Sequence, residues 1–157
     1  GADGATGADG ATGATGATGT VFTDVSGYAA NTSGQLIAVV LGGTPLPLPD
    51  SQNLSPGITI NGANTTLTVA TAGRYYIEYN VQLTASLLLG SRLRINGNPN
   101  LPSTLAPVLS VSGFRNSVIV TLIAGDTIQL ELYGLLGAAT LSGSGTGANL
   151  TIIKLSN

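Results

Sequence analysis

The chain has 157 residues and a formal net charge of −2, with 8% charged residues where ordinary soluble domains carry roughly 25%. That balance gives no electrostatic case for binding nucleic acid. The chain has no cysteine and no histidine, which excludes disulfides, Ser-His-Asp and Cys-His catalysis and most zinc sites.

The first element is a repeat. Glycine occupies every third position from Gly1 to Gly19, in GADGATGADGATGATGATG. A strict period of three is what a collagen triple helix demands, because only glycine fits at its crowded axis. Proline, the usual stabiliser, is missing here. Such a segment needs another part of the chain to bring three strands together. The third positions include Thr6, Thr12, Thr15 and Thr18, whose hydroxyls on an extended rod are candidate O-glycosylation sites. The period is already running at Gly1, so residues 1–19 are expected to be the end of a longer stalk and residues 20–157 a separate head.

The head reads as all-β. Strands are expected near Val21–Val25, Gln35–Leu41, Gly57–Ile60, Thr65–Ala70, Arg74–Thr84, Arg92–Asn96, Phe114–Ile123, Thr127–Tyr133, Ala139–Ser142 and Asn149–Leu155. Turn residues separate them. GGTPLPLPD, residues 42–50, has too many prolines for a central strand. Asn96-Gly97 is a hairpin-turn signal. In RYYIEYNVQL, Tyr75, Ile77, Tyr79, Val81 and Leu83 share one face and should point to the core. NSVIVTLI, residues 116–123, is apolar on both faces. A single sandwich core cannot absorb that surplus, so a second partner is expected. Many short strands without an amphipathic helix favour a sandwich or jelly roll. No run of 18 apolar residues occurs, so no membrane insertion is expected.

Three stretches, SGQLIAVVLGG, TAGRYYIEYNV and LIAGDTIQLELYG, follow the collagen-like repeat in that order and precede a short last strand. Together they resemble the C1q/TNF-like superfamily. Its bacterial branch is most similar, the BclA-type collagen-like glycoproteins of the spore exosporium, and the proline-free repeat is similar to clostridial members. The resemblance implies a jelly roll of about ten strands assembled as a homotrimer. It implies heads that nucleate and cap glycosylated collagen-like stalks, forming the hair-like outer layer of a spore. It also implies that Arg74–Thr84 and Thr127–Tyr133 share the sheet that faces the three-fold axis. Tyr76, Glu78, Gln129, Glu131 and Tyr133 are then the candidate trimer-interface residues.

No catalytic set is evident, and no metal or other cofactor is expected. Glu78 and Glu131 read as polar or Arg-paired interface groups rather than a catalytic carboxylate pair. Asn31, Asn64 and Asn149 match a glycosylation sequon, as chance allows in a chain so rich in Asn, Ser and Thr. The expected function is a structural spore-surface glycoprotein that contributes to adhesion and surface hydrophobicity. Its partners would be itself and a host surface or matrix ligand. The competing reading is the receptor-binding tip of a phage or bacterial surface fibre with a collagen-like shaft.

Overall fold

A computed structural model describes residues 1–17 and 23–157. Residues 1–17 are exposed and form no helix or strand. Thr18 and the start of the expected Val21–Val25 strand lie outside the described residues, and 23–25 are not strand.

The described residues form thirteen strands. They are β1 (Ser26–Asn31), β2 (Leu36–Val39), β3 (Thr44–Pro45), β4 (Asp50–Leu54), β5 (Ile58–Ile60), β6 (Leu67–Val69) and β7 (Gly73–Leu87). β8 (Gly90–Ile95), β9 (Asn98–Pro99), β10 (Val111–Leu122), β11 (Thr127–Tyr133), β12 (Gly137–Thr140) and β13 (Ala148–Ser156) complete the set. One sheet has the order β10-β7-β13-β1-β4, and the facing sheet has the order β5-β6-β11-β8-β9 with β3 also paired to β11. β12 and β2 form a separate ribbon. All the pairings are antiparallel, as hairpins and long crossovers produce in a jelly roll.

The alternation in β7 sets the core. Tyr75, Ile77, Tyr79 and Val81 are fully buried between the sheets. Opposite them lie Leu93 of β8 and Ile128, Leu130 and Leu132 of β11. The Tyr79 hydroxyl bonds Ser91 Oγ at 2.9 Å and donates to the Ser103 carbonyl at 2.6 Å. Burial pushes its pKa up to about 12. Those bonds let the aromatic ring sit in the core without an unsatisfied polar tip.

Several elements differ from the sequence reading. β1 and β4 were not expected. SGYAAN lacks β-branched residues because its core face needs small ones: a Cβ at Gly27 would lie 3.0–3.3 Å from Leu54, Ile58 and Ile152. β4 has no apolar alternation because it is an edge strand, and Ser51 at φ 49° marks an irregularity in its pairing with β1. The proline-rich 42–50 stretch is no central strand, yet it contributes Leu46 and Leu48 to the core, with prolines 45, 47 and 49 interleaved. The Asn96-Gly97 turn has φ of 54° and 78°, as a type I′ turn requires.

Candidate functional site

The side of the five-stranded sheet that faces away from the core is built by register. β7 sends even-numbered side chains outward, and its neighbours present residues in step. Tyr76 pairs with Ile119 of β10 and Ile153 of β13, and Ile153 pairs with Ser26 of β1. In the next row Glu78 pairs with Ser117 and Thr151, and Thr151 pairs with Tyr28. The third row holds Asn80, Arg115 and Asn149. Asn80 donates to Asn149 at 3.0 Å.

This face therefore carries two of the five tyrosines and two isoleucines in adjacent rows. Ile119 is 56% exposed. Tyrosine and isoleucine around a small polar set resemble the core of a protein interface more than a free surface. The polar set is paired within the chain. The Tyr76 hydroxyl donates to Glu78 at 2.6 Å, and Arg115 lies 3.3 Å from the same carboxylate. The Tyr76 hydrogen bond, then the Arg115 charge, hold Glu78 below the ordinary carboxylate range despite some desolvation. The same hydrogen bond raises the Tyr76 pKa. At neutral pH the unit is an ionised Glu78 held by a neutral phenol and a guanidinium.

The other three expected interface residues are elsewhere. β11 lies in the facing sheet, so β7 and β11 do not share one sheet. Their outward faces look to opposite sides of the sandwich. Gln129 donates to Thr66 at 2.8 Å. Glu131 is 1% exposed and binds Arg92 Nε and Arg94 Nε at 2.5 Å each. Arg94 also donates to the carbonyls of Gly42 and Gly97. Tyr133 lies under the Arg92 guanidinium, 3.9 Å from ring centroid to Cζ. Glu131, Arg92, Arg94 and Tyr133 form an internal clamp. It holds the Gly42-Gly43 turn against the sheet, and Gly43 must be glycine because its φ is +102° and a Cβ would strike the Glu131 carboxylate.

Sequence reasoning reached Tyr76 and Glu78 but missed Ile119, Ile153 and Tyr28 as members of one face. The doubly apolar NSVIVTLI was the signal for Ile119. Nothing in YAAN or IIKL marks Tyr28 or Ile153 without the β1–β13–β7 register.

A family model described as the BclA C-terminal domain matches residues 27–156. The chain belongs to the BclA C-terminal domain family. The match runs from the second residue of β1 to the last residue of β13, which is all of the sandwich but Ser26. No curated protein matches the chain at a significant level. Among solved structures, the chain is similar to Eiger TNF from S. frugiperda, at TM-score 0.58 and 14% identity, covering 85% of this chain and 92% of that one. Rabbit GITRL matches at TM-score 0.54 and 15% identity over 83% and 93%. Pika GITRL matches at TM-score 0.54 and 18% identity over 85% and 98%. At these identities the likeness shows the fold, a C1q/TNF-like jelly roll. Membership in the BclA family implies a protein of the exosporium surface.

Proposed function

We propose that this BclA-family head is the trimerising cap of a collagen-like stalk in the outermost coat of a spore. Residues 1–19 are the stalk end and residues 20–157 the head. The observation that carries this reading is the outward face of the five-stranded sheet, where Tyr28, Tyr76, Ile119 and Ile153 crowd into adjacent rows. The glycine period asks independently for three chains. Three copies packed on this face would cover the apolar rows and bring three stalk ends to one axis. That would supply the nucleus a proline-free collagen segment lacks.

In this reading Tyr76 and Glu78 belong to the contact between copies, with Ile119 and Ile153 added. Gln129, Glu131 and Tyr133 serve the fold of each head instead. The coat is made of heads with few charged side chains that resist wetting and adhere to surfaces. The stalk threonines carry sugar: Thr6, Thr12 and Thr15 are exposed in the described chain, and Thr18 lies outside the described residues.

Mass spectrometry of the protein released from native spore surfaces tests the coat reading. Hexose-type additions on peptides containing Thr6, Thr12, Thr15 or Thr18 are the expected result. Unmodified threonines in native material, or recovery of the protein from phage particles instead of spores, would favour the fibre-tip reading.

A further inference from the structure

β10 is an edge of the five-stranded sheet and, at 12 residues, is longer than most strands. An open edge presents unpaired N–H and C=O groups to which another strand can add. The stretch VIVTLI, residues 118–123, adds to that hazard, because it is β-prone and has no charge, glycine or proline. A strand of this composition on an open edge is a template for its own copy in a neighbouring head.

Two side chains stand in the way. On the core-facing side of β10, Phe114, Val118 and Leu122 are buried and Val120 is partly so. Asn116 is the polar residue in that row. Its Oδ1 accepts from the Ser117 N–H at 2.9 Å, and its Nδ2 donates to the Pro102 carbonyl at 3.3 Å. The second bond ties the 3-10 turn Leu101–Ser103 to the strand. The Ser117 amide therefore faces away from β7. Antiparallel alternation turns the amides of Ile119, Thr121 and Ile123 the same way. Ile123 is engaged as well. Asp126 Oδ2 accepts from its N–H at 2.9 Å, and its carbonyl accepts from the Asp126 N–H at 3.1 Å. The span between the two caps, Ile119 to Thr121, is well short of the roughly five or six residues of an ordinary strand.

We propose that Asn116 and Asp126 close the β10 edge to strand addition by β10 of another copy of this chain. Heads crowded in one coat then stay separate instead of fusing edge to edge. The crowding belongs to the coat reading above, while the caps themselves do not depend on it.

Light scattering of the full chain from micromolar to millimolar concentration tests it. The wild-type chain should hold one mass across that range. Asn116→Val keeps a strand-forming side chain but frees the Ser117 N–H and the Pro102 carbonyl. Its mean mass should rise with concentration to at least about twice the wild-type value, with strand content by circular dichroism unchanged. Adding Thr121→Pro should restore the wild-type mass, because proline removes an outward amide that an added strand would use. Asp126 is left intact because it also accepts from Asn96 at 2.9 Å and braces that turn.

A folded Asn116→Val chain that keeps the wild-type mass throughout would overturn the proposal. So would growth of the wild-type chain itself, or growth that Thr121→Pro does not suppress, which would trace it to another surface. Should Asn116→Val fail to fold, hydrogen exchange of the wild-type chain decides. The Ser117 and Ile123 amides should exchange at least about tenfold more slowly than that of Thr121, and equal exchange at all three would overturn the caps. The scattering readout is growth beyond the wild-type mass, so a monomeric wild-type chain would remove the trimer and leave this test standing.

Discussion

Ile119→Asp is expected to abolish assembly while leaving each head folded. Ile119 lies on β10, an edge strand, with its side chain pointing away from the core. In a single head an aspartate there meets water, and an exposed substitution of this kind changes stability by only about 0.5 kcal/mol. In the proposed trimer the same position is covered. Each copy would then bury a carboxylate beside Tyr76, close to an ionised Glu78 that already engages Arg115. An uncompensated buried charge costs about 3–5 kcal/mol. Three per assembly add on the order of 10 kcal/mol, which moves dissociation by several powers of ten. Light scattering should report a monomer, and far-ultraviolet circular dichroism should report an unchanged sandwich. Thr59→Asp is the control, because Thr59 is exposed on β5 in the facing sheet. It should leave the assembly intact. An Ile119→Asp chain that keeps the wild-type mass would remove this face from the interface.

Glu131→Ala should have the largest effect on the fold itself. Glu131 is buried, and its two carboxylate oxygens each bind a different arginine. Removing it leaves Arg92 and Arg94 partly buried with no counter-charge, at side-chain exposures of 16% and 23%. Breaking such a pair costs about 3–5 kcal/mol, more than the pair contributes relative to an apolar replacement. The loss also frees the Gly42-Gly43 turn that packs on the carboxylate. The melting temperature should fall by on the order of 10–15 °C. Arg92→Met/Arg94→Met/Glu131→Leu should recover much of that loss, because it removes all three charges of the cluster and fills the space. A melting temperature within about 2 °C of wild type for Glu131→Ala would show that the clamp is not a structural element.

The two variants separate the roles that the sequence alone merges. Alternation in β7 and β11 marked each strand and its core face correctly, because a period of two is a local property. It could not say which sheet each strand joins. That depends on which partners the strands find across the chain: β7 pairs with β10 and β13, while β11 pairs with β3, β6 and β8. Glu131 looked like an outward polar residue by alternation, and it does point away from the core. The Gly42-Gly43 turn and two arginines then bury it, and those contacts come from residues 37 to 89 positions away. Tyr76 and Glu78 were legible as outward residues of β7 because they alternate with its core-facing Tyr75, Ile77 and Tyr79. Tyr28 was not, because YAAN carries no strand pattern of its own and gains its place only from β13.

The exposed Leu88, Leu135 and Leu136 were visible in the sequence as LLLG and YGLLGAA, out of place in loops. Only the pairing of the strand ends shows that they share one end of the sandwich, opposite the start of β1. The opening repeat shows the reverse balance. Its period is unmistakable in the sequence, while its described residues, 1–17, are exposed and form no helix or strand from which to read a partner.

In the proposed trimer the outward face of the five-stranded sheet assembles three heads and so supplies the nucleus for the stalk. The solution mass of the full chain at micromolar concentration, by light scattering, tests it most directly. The expected mass is three times the 15.5 kDa chain mass, held without added metal or reductant. A mass of one chain at that concentration would contradict it, and would leave the Tyr76, Ile119 and Ile153 rows as free surface.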